Sequence, residues 1–296
     1  MKLIECVPNF SEGRNKKKVE EIVHAASEIK GVRILDFSFD EDHNRSVLTF
    51  VGSLRDVREG ALAACRKALE IIDMRNHKGV HPRIGAVDVV PFIPLTHSTM
   101  KDAIQVAHSF GYAFGRESNI PVYFYGAAAL CDDRKSLAQV RKGQYEGLEK
   151  KLVDPFYRPD AGPVRFNPRS GATAVGARKP LVAFNVNLDS DDIELAKDIA
   201  KSIRYSSGGL EHVMAMGVML AGRRKVQVSM NLTDYEVTSP RRVFDVIKEM
   251  AAARGVSILE SEIIGLIPRG ALADTTAEYL QVRGFRPEMV LESHIQ

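Results

Sequence analysis

The chain has 296 residues, of which 45% are hydrophobic and 27% are charged. At about 150 residues per domain, this length favours two compact units. The 41 basic and 38 acidic side chains leave a formal net charge of +3, which excludes an overall basic surface for nucleic acid or an anionic membrane. The composition therefore indicates a globular protein whose charged sites are local.

The cysteines and the apolar runs indicate the compartment. Three cysteines, an odd number without a C-x-x-C pair, favour neither a disulfide framework nor a thiolate zinc site. Cys6 and Cys65 fall on apolar faces, where buried cysteine is the default. The first residues lack a signal-peptide pattern, and no apolar run reaches the roughly 20 residues of a membrane span. We expect a cytoplasmic protein that binds neither membrane nor nucleic acid.

Strand and helix patterns alternate through the first half of the chain. Apolar, β-branched runs predict strands, and apolar residues spaced by three and four predict helices. Strands are predicted over residues 3–7, 32–36, 46–52, 86–93 and 121–125. Helices are predicted over residues 15–29, 54–72, 100–118 and 134–142. The run 86–93 lacks polar alternation, which indicates a strand covered on both faces.

A segment rich in proline and glycine follows at residues 154–176. Because these residues interrupt regular structure, we predict a long loop with the domain boundary at its end. Residues 171–176 have the G-x-x-x-x-G spacing of a phosphate loop, but Ala-Arg follows where Lys-Ser or Lys-Thr is needed. No G-x-G-x-x-G occurs in the chain, so a nucleotide site is not expected.

The second half repeats the order of elements that begins the first. Strands are predicted over residues 181–187, 212–220, 225–232 and 256–267, and helices over 191–204 and 240–254. This is the β-α-β-β-α-β order, which gives a sheet with helices on one face. The sequence therefore predicts an α/β (α+β) fold with two related, ferredoxin-like βαββαβ-type subdomains, residues 1–178 and 179–296. A ligand cleft is predicted between them.

The densest polar segment, residues 76–88, lies between a predicted helix and the buried strand. A zinc site of the H-E-x-x-H kind is not expected there, because glycine and proline break the helix and no Glu follows His77. His81 has two interpretations. It can cap the entry to the strand, or it can act as a general base and acid while Arg83 holds an anionic substrate.

A second polar cluster separates two paired strands and comprises Asp36, Asp40, Asp42, His43, Asn44 and Arg45. On composition alone it is a solvated hairpin loop. The same side chains also suit a polar ligand, so both interpretations stay open. Covalent catalysis is not indicated, because no G-x-S-x-G elbow occurs and no cysteine has a histidine beside it in the sequence.

Several strings in the chain resemble one known family, the glutamate formiminotransferases. They are ECVPNFSEG at residues 5–13, NRSV and FVG within residues 44–52, HKG and HPRIGAVDVVPFIP within residues 77–94, and GAT, GARK and AFNVNL within residues 171–188. The strings occur in order over nearly the whole chain. The resemblance implies two α/β subdomains with folate in the cleft between them, and a homodimer.

The resemblance also implies a reaction. The formimino group of N-formimino-L-glutamate passes to N5 of tetrahydrofolate, giving 5-formimidoyltetrahydrofolate and L-glutamate in histidine degradation. Tetrahydrofolate is a substrate, and no metal is expected. Two alternatives stay open: transfer of a formyl group to folate at the same site, and a two-lobed module that binds folate or another small ligand without turnover.

Site residues follow from the same resemblance. The family's catalytic histidine, in its H-P-R-x-G-A motif, falls on His81. A carboxylate that steadies the cationic amidine is predicted at Asp36 or Asp40. A histidine near its unperturbed pKa of about 6.5 can take the N5 proton and return it to the departing nitrogen. The predicted substrate-binding residues are Asn44, Arg45 and Arg83, with a folate loop of Gly162, Pro163, Val164, Arg165, Phe166, Asn167, Pro168, Arg169, Ser170 and Gly171.

Overall fold

Separate hydrophobic cores form in the two halves of the chain. In a computed structural model of the protein, the chain divides into two units, Met1–Arg178 and Lys179–Gln296. The structure describes residues 1–41, 43–79, 81–220 and 222–295. Within these ranges, no helix has the length and apolar character that a membrane span requires.

The first unit contains one mixed sheet and five described helices. Its helices are α1 (Lys16–Ser27), α2 (Leu54–Ile71), α3 (Met100–Ser118), α4 (Leu137–Arg141) and α5 (Gln144–Val153). Its strands are β1 (Ile4–Cys6), β2 (Asn9–Phe10), β3 (Arg33–Asp40), β4 (Arg45–Gly52), β5 (Val87–Pro94), β6 (Val122–Gly126) and β7 (Thr173–Ala177). Polar caps fix the helix starts: Ser53 accepts a hydrogen bond at the start of α2, and Thr99 and Asp102 form a capping box on α3.

The sheet of the first unit combines antiparallel and parallel strands. Strand β3 pairs with β4, β4 with β1, and β1 with β5, all antiparallel. Strands β7 and β6 continue the sheet beyond β5 with parallel pairing. Helices α1, α2 and α3 contribute to the larger apolar core. Side chains of α4 and α5 form a smaller core with Val89, Tyr123 and Ala174, so β5, β7 and β6 are covered on both faces.

The second unit is a four-stranded antiparallel sheet with two helices. Its elements are β8 (Val182–Leu188), α6 (Ile193–Ile203), β9 (Val213–Leu220), β10 (Lys225–Leu232), α7 (Pro240–Ala252) and β11 (Ile258–Ile264). The strand order is β11-β8-β10-β9. The order of β5, β1, β4 and β3 in the first unit is the same, so the predicted pair of related βαββαβ-type subdomains is confirmed.

One sequence prediction about the fold was wrong. Residues 173–176, the end of the predicted long loop, belong to β7, which lies between β5 and β6. Small side chains make this position possible: a Cβ atom at Gly176 would lie 2.5 Å from a ring carbon of Tyr125. Thr173 also donates its hydroxyl hydrogen to the carbonyl of Val87 at 2.8 Å. Glycine and alanine here indicate close strand packing, not a loop.

Candidate active site

The loop that carries His81 is held on both sides by other segments. A Cβ atom at Gly79 would lie 2.4 Å from the carbonyl oxygen of His43. One at Gly85 would lie 2.2 Å from the carbonyl oxygen of Ala172. The loop therefore packs between the β3–β4 hairpin tip and the end of the predicted folate loop. The three segments that the sequence singled out lie together.

Asn44 connects the hairpin tip to two neighbouring loops. Its backbone is left-handed, with φ of 47°, a conformation that asparagine tolerates better than most residues. Its side-chain oxygen accepts a hydrogen bond from the N–H of Gly13 at 2.9 Å, and its Nδ2 donates to the carbonyl of Lys78 at 3.0 Å. The amide of Asn44 is thus used to hold backbone, and a contact with substrate stays a prediction.

His77 is a half-buried link in a chain of hydrogen bonds. Arg83 Nε donates to His77 Nδ1 at 3.2 Å, and His77 Nε2 lies 2.9 Å from the carbonyl oxygen of Asn44. Because Nδ1 accepts, Nε2 must carry the ring proton and donate it to that carbonyl. Burial lowers the pKa of His77, and the charge of Arg83 lowers it further. His77 is therefore neutral and fixed in one tautomer.

Arg83 is fixed by a helix that the sequence did not connect to it. Its side chain is 7% exposed, and its Nη1 and Nη2 donate to the two carboxylate oxygens of Glu146 at 2.9 and 2.6 Å. The hydrogen bonds from Arg83 lower the pKa of the Glu146 carboxyl. This bidentate pair ties the His81 loop to α5. Direct binding of substrate by Arg83 stays a prediction.

His81 itself lies in a strongly cationic environment. Burial lowers its pKa to about 3, with further lowering by the charges of Arg45, Arg141, His43 and Arg83. The expectation of a pKa near 6.5 was wrong, because the sequence shows neither the burial of the ring nor the arginines that other elements bring to it. The His81 ring makes no hydrogen bond to any residue that the structure describes. In the unliganded protein it is a neutral imidazole.

Two of these cations, Arg45 and Arg141, belong to different elements. Arg45, the first residue of β4, donates from Nη1 to Asn9 Oδ1 at 3.0 Å. Arg141, the last residue of α4, forms a salt bridge with the buried Asp88. Arg141 was not predicted as a site residue. Its only signal is the run VRKGQYE, a basic and polar stretch around a glycine between two short helices.

The predicted catalytic carboxylates lie at different distances from the hairpin tip. Asp40 pairs with Arg45 in the strand register, and its Oδ1 accepts from the N–H and Nδ1 of His43 at 2.6 and 2.8 Å. Burial would raise the pKa of Asp40, but these hydrogen bonds and the His43 and Arg45 charges outweigh it and lower the pKa. Asp36 lies four residues earlier on β3, about 13 Å away along the strand. Asp42 lies outside the described residues.

The second half of the predicted folate loop is tied to the body of the unit. Asn167 Oδ1 accepts from the N–H groups of Arg169 and Ser170 at 3.0 and 3.2 Å. The carbonyl oxygen of Ser170 accepts from the N–H of Ala86 at 2.8 Å. Arg169 Nη2 donates to the carbonyl of Glu70 at 2.6 Å. Arg169 is thus anchored on α2, and its binding of a substrate carboxylate stays a prediction.

The first half of this loop is more exposed. Gly162 has φ of 76° and Arg165 is exposed, while Phe166 is half-buried. The ring of Phe166 lies 5.5 Å from that of Tyr145, centroid to centroid, and the Tyr145 hydroxyl donates to the carbonyl of Pro168. Because Tyr145 precedes the residue that pairs with Arg83, α5 contacts both the folate loop and the His81 loop.

The other groups of interest are candidate metal ligands and the cysteine thiols. Within the described ranges, no group of three or more His, Cys, Asp or Glu side chains is arranged to hold a metal ion. Cys6 and Cys65 are buried, as the sequence predicted, and burial raises the pKa of both thiols. Neither is a thiolate at neutral pH. Around His81 the described residues bring together three arginines, Arg45, Arg83 and Arg141.

Comparison with known proteins gives the family. Residues 3–178 match the "Formiminotransferase domain, N-terminal subdomain" and residues 183–292 match the "Formiminotransferase domain". The chain belongs to the formiminotransferase family, as its motifs predicted.

Three relatives of this chain carry two names between them. The chain is 45% identical to "Glutamate formimidoyltransferase" of Streptococcus pyogenes serotype M1, over 99% of both chains. It is 43% identical to the protein of the same name from Thermoplasma acidophilum, over 100% of this chain and 98% of that one. It is also 43% identical to "Formimidoyltransferase-cyclodeaminase" of Gallus gallus, over 95% of this chain but 53% of that one.

Proposed function

We propose that the protein transfers the formimino group of N-formimino-L-glutamate to N5 of tetrahydrofolate, giving 5-formimidoyltetrahydrofolate and L-glutamate. This reaction belongs to histidine degradation. Two relatives named for it match this chain over nearly their full length. The observation that carries the proposal is His81, a neutral imidazole without a hydrogen-bond partner among the described residues, beside cations that suit a substrate with two carboxylates.

The reaction needs one group that first accepts and then donates a proton. N5 of tetrahydrofolate attacks the amidine carbon, the N5–C bond forms, and the N5 proton passes to the imidazole of His81. The bond between that carbon and the glutamate nitrogen then breaks, and the same proton reaches the departing nitrogen. One proton moves and no electron is gained or lost, so general acid–base catalysis by one histidine suffices.

A carboxylate beside the amidine would stabilise its positive charge. We propose Asp40 for this role, since its lowered pKa keeps it ionised at neutral pH and it lies opposite Arg45 in the strand register. Asp36 is the alternative carboxylate, further along the same strand. The substitutions Asp40→Asn and Asp36→Asn distinguish the two residues. Only the substitution of the carboxylate that stabilises the amidine should lower kcat.

We propose that residues 162–171 contact folate. The resemblance assigns the family's folate loop to them, and the half-buried Phe166, packed near Tyr145, offers an aromatic face for the pterin or aminobenzoyl ring. The exposed Arg165 can reach a carboxylate of the glutamate tail. This segment also bonds to the His81 loop through Ser170 and Ala86, so bound folate would lie close to the base.

The test of the proposed function is a direct assay. Purified protein is mixed with tetrahydrofolate and N-formimino-L-glutamate, the folate product is followed by absorbance, and released glutamate is measured separately. We expect equal amounts of both products. A parallel reaction with N-formyl-L-glutamate tests the formyl donor. Folded protein that releases glutamate from neither donor would overturn the assignment as a transferase of this kind.

We also propose that the protein works in the cytoplasm as a homodimer. Support for the cytoplasm is its cysteine usage: Cys6, Cys65 and Cys131 are all free, and Cys131 is exposed. Support for the dimer is the family resemblance. Light scattering after size-exclusion chromatography should give twice the chain mass of 32.8 kDa, and a mass of one chain would contradict the dimer.

A further inference from the structure

The three arginines around His81 differ in how their charge is balanced. Arg83 forms a salt bridge with Glu146, and Arg141 forms one with Asp88. Arg45 has no salt bridge to any residue that the structure describes, and its one hydrogen-bond partner there is a neutral amide. Arg45 is therefore the cation of this group whose charge is least satisfied.

The guanidinium of Arg45 is buried, with one donor that no described residue pairs and a like charge nearby. Its Nε is buried without a hydrogen-bond partner among the described residues, and its pKa is lowered by burial and then by the charge of Arg141. A buried donor without a hydrogen-bond partner destabilises the folded state, and so does a nearby like charge. The charges of Asp88 and Asp40 offset part of this destabilisation, but neither carboxylate forms a salt bridge with Arg45 in the part of the chain that the structure describes. A ligand carboxylate at this position would remove the repulsion between the two guanidinium groups.

We propose that Arg45 and Arg141 together bind the α-carboxylate of the donor substrate, and that His81 becomes able to take up a proton when this carboxylate is bound. The inference rests on the proposed function, which supplies the identity of the donor. It goes further by naming which carboxylate is bound, which arginines bind it, and when the base becomes active.

The chemistry of the donor requires one carboxylate near the base. In N-formimino-L-glutamate the departing nitrogen is attached to the carbon that also bears the α-carboxylate. The γ-carboxylate is two further carbons away. Because His81 must return a proton to that nitrogen, the α-carboxylate must lie in the immediate surroundings of His81, which is where Arg45 and Arg141 lower the pKa of the imidazole.

The charges that act on His81 come from several elements. The groups that lower the pKa of His81 in addition to burial are Arg45 on β4, Arg141 on α4, His43 at the hairpin tip and Arg83 on the loop itself. Three of these groups are held by carboxylates, His43 by Asp40, Arg83 by Glu146 and Arg141 by Asp88. In the unliganded protein burial of the ring, and then these charges, keep the imidazole neutral, and a base of such low pKa captures a proton poorly at neutral pH. A carboxylate placed between two of the cations offsets the part of this lowering that their charges cause.

The inference is tested by measuring the pKa of His81 with and without donor analogues. Histidine labelled with carbon-13 at Cε1 reports each ring by NMR, and the signal absent from His81→Gln identifies this one. The probes are N-formyl-L-glutamate, N-formyl-L-glutamine, which keeps the α-carboxylate, and N-formyl-L-isoglutamine, which keeps the γ-carboxylate. No folate is present. We expect the first two to raise the pKa of His81 by at least about one unit and the third to leave it unchanged.

Variants separate the two arginines from the rest of the surface. Arg45→Gln, and Arg141→Gln combined with Asp88→Asn, should each weaken the binding of N-formyl-L-glutamate at least about tenfold. The double variant avoids leaving the Asp88 charge buried alone. Arg45→Gln should also raise the pKa of His81 in the unliganded protein. The matched control is Arg66→Gln on α2, an exposed arginine paired with Glu117, which should change neither quantity.

Unchanged affinity in both arginine variants would overturn the inference, as would an unchanged pKa of His81 in protein saturated with N-formyl-L-glutamate. Both are binding measurements, so they are independent of turnover. If the wild type transfers the formimino group while Arg45→Gln keeps the wild-type KM for the donor, the carboxylate site is wrong and the proposed function stands. If the probe raises the pKa of His81 but no transfer occurs, the proposed function is wrong and the carboxylate site stands.

Discussion

Arginines in two segments of the first unit were predicted to bind substrate, and their surroundings differ. Arg83, on the His81 loop, has a side chain 7% exposed and a bidentate carboxylate partner. Arg169, in the folate loop, has a side chain 47% exposed and donates to a backbone carbonyl. A charge pair with a buried member is costly to break, whereas an exposed pair contributes little. The same residue type is thus part of the framework in one segment and a surface contact in the other.

The largest effect should follow from replacing His81, the proposed base on the first of these segments. We expect His81→Gln to lower kcat about 10²-fold or more, because general acid–base catalysis contributes at least that much. Binding of a folate analogue should change little, since the imidazole is not part of the folate loop. Glutamate release at saturating substrates measures kcat, and fluorescence titration measures folate binding. A folded variant with near-normal kcat would remove His81 from the mechanism.

The next effect should come from the framework arginine. Arg83→Met removes two charge-assisted hydrogen bonds to Glu146 and one to His77, so we expect the free energy of unfolding to fall by about 2 to 3 kcal/mol. The stranded Glu146 limits the loss, because its side chain is 62% exposed and can be hydrated. Urea unfolding measures the change. Glu146→Gln serves as the paired variant and should be destabilising as well, since it leaves the Arg83 charge buried. Wild-type stability in both would show that the pair is not structural.

Lowering the pH should destabilise the folded protein through His81. The unfolded chain titrates this group near 6.5, whereas the folded protein lowers its pKa to about 3, so between these values the unfolded state binds more protons. Stability should therefore fall as the pH decreases through this window, by at most about 1.4 kcal/mol per pH unit. His81→Gln should reduce this slope. Urea unfolding of both proteins at several pH values in the window checks it, and equal slopes would contradict the lowered pKa.

The smallest effect should come from the folate loop. We expect Arg169→Met to change the free energy of unfolding by less than about 1 kcal/mol, because its partners are reached from an exposed side chain. The KM for folates with glutamate tails of different length then shows its function. If the increase in KM caused by Arg169→Met grows with tail length, Arg169 binds the glutamate tail. If Arg169→Met lowers the free energy of unfolding as much as Arg83→Met does, the two segments do not differ in the way described.

Local pattern predicted much of this structure. The three- and four-residue spacing of apolar side chains and the β-branched runs gave the βαββαβ order of both units, and the motif HPRIGA marked the His81 loop. Strand β7 was missed, because its small residues follow a run of proline and glycine and carry no alternation. Its identity as a strand depends on the close approach of β5 and β6, which local sequence does not encode.

The surroundings of His81 were not predictable in the same way. Arg83 and Glu146 are 63 residues apart in sequence, and Arg141 and Asp88 are 53 apart. No periodicity connects such partners. The pKa of His81 depends on the burial of its ring and on cations from several elements, so a reference value read from the sequence was wrong by a large margin. The residue type was predictable, but its protonation state was not.

The contacts that hold the His81 loop and the neighbouring strands in place also bear on how the protein becomes active as it folds. Asn44 reaches Lys78 across 34 residues of chain, and Thr173 reaches Val87 across 86. Contacts between such distant positions close late, since their loop entropy must be overcome before they add stability. Helices and the β3–β4 hairpin can form from nearby residues. A refolding chain should therefore regain most of its secondary structure before it regains turnover, and activity reports on the completion of the whole first unit.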